Sequence, residues 1–154
     1  MGHMACQTKW MGDMGFESQI RDHKVPMDAK SDFGGKDQGP SPKELVLAGI
    51  CGCTGMDVVS ILKKMRVNLQ SCDVNAETDT TEGHPSIFTT VELQFRLQGP
   101  DVKPEQAMKA VNLSMTKYCG VSAMIVKASP IRYQVYLNDL QIGEGQSQFE
   151  SASE

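Results

Sequence analysis

Two cysteines, Cys53 and Cys119, are the residues of this chain best suited to covalent chemistry. A thiol that loses its proton is a strong nucleophile and can be oxidised reversibly, first to a sulfenic acid and then to a disulfide. Cys53 lies in an apolar stretch, residues 45–56, where two readings stand: a small core hydrophobe or a reactive thiol. Cys119 is followed directly by Gly120, at a point where one helix ends and another begins. Backbone N–H groups of Gly120 to Ser122 would there face its sulfur and favour the thiolate. The competing reading is an inert buried thiol at a helix junction.

The other candidates for chemistry are weaker. Five cysteines (Cys6, Cys51, Cys53, Cys72, Cys119) are an odd number without the dense spacing of a disulfide scaffold. A reducing compartment, the cytoplasm, is expected. Cys51 and Cys53 suggest a metal pair, but residues two apart on a helix point about 200° apart and cannot grip one ion together. His3 reads as a tag remnant within residues 1–4, while His23 and His84 fall in different hairpins. No metal and no cofactor are expected. Phosphate loops, dinucleotide fingerprints and the Gly-x-Ser-x-Gly elbow are absent from the sequence.

At 154 residues the chain is one domain by length, with 22% charged residues and a net charge of −4. That charge, and the lack of any Lys/Arg cluster, argue against a nucleic-acid partner. Residues 1–10 lack the apolar core of a signal peptide. The uncharged run at residues 45–56 reads as too short to cross a bilayer. No membrane partner is expected.

The elements that must hold the two cysteines are legible. Residues 8–11, 16–20 and 24–28 read as short strands separated by glycine and turn residues, and 33–40 as a loop. Ser41-Pro42-Lys43-Glu44 is a helix start: Ser41 caps, Pro42 takes the first position, and Glu44 completes a capping box. The helix is expected to run to residue 64 or 66, and from 45 to 56 it is apolar on all sides and hence buried. Gly49, Gly52 and Gly55 recur every third residue, as where another backbone approaches closely. Strands follow at 74–78 and 87–97, then a helix from Pro104 with Met108, Val111, Met115 and Tyr118 on one face. A short helix at 121–125 and a strand at 131–137 complete residues 5–138. Residues 139–154 read as a polar, flexible tail. The order β-β-β-α-β-β-α-α-β is that of an α+β protein with an antiparallel sheet packed on helices.

Two motifs make the chain recognisable. Ser41-Pro42-Lys43-Glu44-Leu45 followed by Gly52-Cys53-Thr54-Gly55-Met56-Asp57-Val58-Val59-Ser60-Ile61-Leu62 resembles the central helix of the OsmC/Ohr family, and Tyr118-Cys119-Gly120-Val121-Ser122 resembles its second cysteine motif. The resemblance implies an intertwined homodimer whose antiparallel sheets pack around long central helices. It also implies thiol-dependent reduction of organic hydroperoxides. The residue matching Cys53 attacks the peroxide, that matching Cys119 closes a disulfide, and an external dithiol reduces the pair. The alternative is a non-catalytic family member: a binding protein for a small apolar or thiol ligand, or a redox sensor.

Two departures from the enzymes' pattern bear on that choice. The family's arginine near an N-terminal glycine turn has no match in Gly12-Asp13-Met14-Gly15-Phe16, and Arg21 is the nearest. The glutamate that follows the helix-opening proline is here Lys43, with Glu44 one residue later. Lys43 and Glu44 are therefore secondary catalytic candidates behind Cys53 and Cys119.

Overall fold

The computed structural model describes residues 2–150, so parts of the expected remnant (1–4) and tail (139–154) lie outside the described residues. The chain forms two compact units, residues up to 46 and residues from 47 onward, and one helix runs through the boundary.

In the first unit, β1 (Gln7–Gly12), β2 (Gly15–Ile20) and β3 (His23–Met27) form an antiparallel meander in that order. Asp28 then organises the loop that follows. Its carboxylate accepts hydrogen bonds from the backbone N–H groups of Ala29, Lys36 and Gln38 at 2.8, 3.2 and 3.1 Å. The bond from Gln38 is the main reason its carboxyl is held below the ordinary aspartate value. Gly35 sits so close to the Ala29 backbone that no side chain fits there. The loop returns the chain to the helix start, where the expected capping box forms. Ser41 N–H donates to Glu44 Oε2 at 2.7 Å, and Glu44 N–H donates to Ser41 Oγ at 3.4 Å.

Helix α1 spans Pro42–Lys64, with Lys63 and Lys64 at the negative end of its dipole. Its fully buried residues are Ile50, Thr54, Val58 and Leu62, an i, i+4 stripe on one face. Burial on every side over residues 45–56, as their composition suggests, does not occur among the described residues: Val46 is 43% and Met56 76% exposed. Nor, among the described residues, does any neighbour approach within 4 Å of where a side chain would begin at Gly49 or Gly52. At 23 residues the complete helix is also long and apolar enough to cross a membrane, which the 45–56 run alone is not. Here its buried stripe belongs to the core of the second unit.

That core rests on a four-stranded sheet ordered β4 (Ser71–Glu77), β5 (Val91–Gln98), β6 (Ile131–Leu137), β7 (Leu140–Gln146). Val91, Leu93, Phe95 and Leu97 of β5, and Ile131, Tyr133, Val135 and Leu137 of β6, alternate into the core as their period of two dictates. The sheet is mixed rather than wholly antiparallel. β5 and β6 run parallel because the segment between them is a crossover through α2 (Pro104–Leu113), a π turn (Ser114–Tyr118) and α3 (Gly120–Ile125). The π turn also explains why Tyr118 is 52% exposed instead of following Met115 inward. A wider turn advances the register and rotates later residues off the face.

The tail expected from residue 139 is corrected over its first half, where Leu140–Gln146 form β7 against β6. Its composition misleads because Gly143 and Gly145 are packing residues. A Cβ at Gly145 would stand 2.5 Å from the Tyr133 hydroxyl oxygen, and one at Gly143 2.6 Å from the Met108 sulfur. The glycines leave room for Tyr133 to donate to Asn112 Oδ1 at 2.8 Å. Gly145→Val is therefore expected to destabilise the protein by about 1–3 kcal/mol through overpacking, measured by urea unfolding. An unchanged midpoint would show that β7 does not pack as described.

Candidate functional site

Cys53 and Asp57 are four residues apart on α1 and so share a face, adjoining the buried Ile50–Thr54–Val58 stripe. The second half of the site comes from the crossover. The π turn begins at Ser114 and ends against Cys119, whose extended backbone (φ −71, ψ 101) breaks the helix and caps α3. The Cys119 N–H donates to the Ser114 carbonyl at 3.0 Å. Its sulfur accepts from the Ser122 N–H at 3.3 Å and the Ser122 hydroxyl at 3.0 Å.

The two segments meet through a chain of hydroxyls. Ser114 Oγ donates to Asp57 Oδ2 at 2.9 Å and lies 2.7 Å from Thr54 Oγ1. Ser114 has one proton and gives it to Asp57, so Thr54 is the donor to Ser114. Thr54 and Ser114 are fully buried, and Asp57 is partly exposed. This arrangement brings the Cys53 sulfur, the Cys119 sulfur and a carboxylate oxygen of Asp57 within 4.8 Å of one another. Cys53 is partly exposed and Cys119 fully buried. All five cysteines are free thiols.

Burial pushes the Cys119 thiol up to about 11; the two hydrogen bonds from Ser122 oppose the shift, and the neighbouring Cys53 adds to it. At neutral pH Cys119 is therefore protonated. The remaining cysteines lie elsewhere. Cys6 is exposed, and burial raises both Cys51 and Cys72, the latter to about 11. Cys51 and Cys72 line an open groove of roughly 700 Å³ together with Gly52, Gly55, Met56 and Val59. Cys51 and Cys53 thus diverge, as helix geometry requires, but Cys53 meets two other potential metal donors, Asp57 one turn along α1 and Cys119 from the crossover. Glu44 is engaged in the capping box, and the backbone bond from Ser41 is the chief cause holding its carboxyl below the ordinary value. Lys43 makes no ion pair among the described residues.

The chain is similar to known proteins in sequence and in fold. The family model described as OsmC-like protein matches residues 35–134. The chain belongs to the OsmC-like family. Protein YhfA of Escherichia coli K12 is 37% identical over 131 residues, which cover 84% of this chain and 95% of that protein. A hypothetical protein from Aquifex aeolicus VF5 is similar in structure, with TM-score 0.77 and 27% identity, covering 90% of this chain and 99% of that one. The organic hydroperoxide resistance protein OsmC of Legionella pneumophila shares the fold at 14% identity and TM-score 0.68, covering 88% and 98% of the two chains.

The side chains of Thr54, Asp57, Ser114 and Ser122 were not singled out in the sequence, although the Ser122 N–H was, and two of the four left a signal there. Asp57 lies one helical turn beyond Cys53, and Ser122 stands three residues beyond Cys119, the spacing of an N-cap with its donor. Ser114 left none, because only the crossover brings it to α1. Removing the donor hydroxyl by Ser122→Ala should move Cys119 ionisation above about 11, whereas Cys53→Ser should move it below about 11. Thiolate absorbance followed against pH measures both, and shifts in the opposite directions would contradict the stated causes.

Proposed function

We propose that this protein reduces organic hydroperoxides by a two-cysteine mechanism, in defence against oxidative stress and in the reducing cytoplasm. The observation that carries the reading is the meeting of a partly exposed Cys53 sulfur with a fully buried Cys119 sulfur within 4.8 Å. The accessible thiol is the one a peroxide can reach, and the buried one is protected from overoxidation until its partner has reacted. The name of the Legionella relative supports the same chemistry.

The Cys53 thiolate attacks the distal oxygen of ROOH, the O–O bond breaks, and the alkoxide takes a proton to leave as ROH. The Cys53 sulfenic acid then condenses with the Cys119 thiol, forming the disulfide and one water. Asp57 is placed to accept the Cys119 proton and deliver it to the departing hydroxide. An external dithiol restores both thiols. Organic hydroperoxide and dithiol are thus the small-molecule partners, and neither nucleic acid nor membrane takes part.

Steady-state consumption of cumene hydroperoxide with a dithiol reductant tests this. Cys53→Ser should abolish turnover, and Cys119→Ser should halt after one turnover with Cys53 as sulfenic or sulfinic acid. Asp57→Asn should slow disulfide closure by about a hundredfold. Full turnover by Cys53→Ser would overturn the mechanism. One observation favours a redox sensor instead: the charge beside the sulfurs is the Asp57 carboxylate, which repels a thiolate, and no cation pairs with Asp57 among the described residues. Oxidation to the disulfide with negligible turnover is the result that reading expects.

We also propose that two copies pair through the outer face of α1, where Gly49 and Gly52 are open and Met56 and Val59 exposed. A stable dimer of this kind would bury more than about 2,000 Å² in total. Sedimentation at low micromolar concentration should give a dimer, converted to monomer by Val59→Glu. A monomeric parent would contradict the pairing.

A further inference from the structure

We propose that Cys53, Asp57 and Cys119 form a binding site for a zinc-class divalent ion, with a fourth position left open for water or an exogenous thiol. In tetrahedral zinc sites bonds of about 2.3 Å to sulfur and about 2.0–2.2 Å to carboxylate oxygen place neighbouring donors roughly 3.5–3.8 Å apart. The three donor atoms here already lie within 4.8 Å of one another, so small side-chain rotations close the set. Two sulfurs and one carboxylate suit zinc better than magnesium or calcium, which prefer all-oxygen shells.

The surroundings resemble those of a supported metal ligand. Ser114, itself held by Thr54, donates to one oxygen of Asp57 and fixes the carboxylate's orientation. Ser122 donates twice to the Cys119 sulfur, which steadies it as a thiolate. Cys53 and Asp57 are partly exposed, so an ion can enter from their side, while Cys119 forms the buried floor. The ion would also neutralise most of the negative charge that two thiolates and a carboxylate bring together.

Zinc takes its sulfur ligands as thiolates, so the Cys119 thiol gives up its proton to solvent on binding. A hydroperoxide ROOH that takes two electrons from the same two sulfurs and two protons from solvent leaves as ROH and water, joins the sulfurs in a disulfide, removes both sulfur ligands and expels the ion. The site uses the residues of the proposed peroxidase but does not depend on that activity.

The test is a competition titration of the reduced full chain with zinc and a chromophoric chelator, in a phosphine reductant. One zinc per chain is expected, with unchanged affinity in Cys51→Ser and Cys72→Ser. Cys119→Ser and Asp57→Asn should each weaken binding at least about tenfold. Cobalt substituted for zinc should show a sulfur-to-metal charge-transfer band that disappears in Cys119→Ser. In the parent protein, zinc should also slow alkylation of Cys53, a readout that needs no variant to fold. No stoichiometric binding, unaltered binding in both ligand variants, loss in Cys51→Ser or Cys72→Ser, or unslowed alkylation would each overturn the site. Peroxide added in parallel separates the two proposals: disulfide formation without zinc binding sinks the metal site alone, and zinc binding without peroxide reduction sinks the peroxidase alone.

Discussion

Ser114 Oγ carries a single proton, and because Asp57 takes it, Thr54 must donate in turn, so three side chains from two segments have one order of donors. Thr54 and Ser114 are wholly buried, where an unpaired hydroxyl costs about 1–3 kcal/mol. A slip of α1 by one residue would break both bonds and swing Cys53 through about 100° away from Cys119. The hydroxyl chain therefore works as a register pin. Apolar packing of Ile50, Val58 and Leu62 holds the helix down, but such packing tolerates sliding far better than directional bonds do.

The same pin places a carboxylate beside two sulfurs. Burial already pushes Cys119 up to about 11, and Ser122 recovers only part of that. A second negative charge nearby makes double ionisation costly. The chemistry open to the site is therefore sequential: one sulfur reacts while the other keeps its proton, or a cation arrives and takes both. The proposed peroxide reduction and the proposed metal binding are two ways of meeting one constraint.

Helix α1 divides its surface between two tasks. One stripe enters the core of its own unit, and the face bearing Gly52, Gly55 and Met56 lines an open groove with Cys51 and Cys72. Glycine in mid-helix costs roughly 1 kcal/mol relative to alanine, and among the described residues nothing lies close to Gly49 or Gly52; the proposed pairing of two copies would give that face its neighbour. Cys51 and Cys53 diverge by their spacing, whereas Gly49 and Met56, four and three residues from Cys53, adjoin it on the helix surface.

Local pattern determined the elements and the family. Alternation in β5 and β6, the Ser41–Glu44 capping box and the helix break at Cys119-Gly120 are statements about neighbours in sequence, and each appears in the structure. Even Asp57 was within reach, since helical spacing alone puts it on the face of Cys53. The rest depended on groups distant in the chain. β7 looked like a tail because its glycines acquire meaning only against Tyr133 and Met108. The π turn that exposes Tyr118 leaves no signature in composition. Ser114 is an ordinary serine until the crossover between parallel strands carries it to α1. Sequence spacing fixed which residues share a face; only tertiary packing, by matching donors to acceptors across two segments, decided which faces meet.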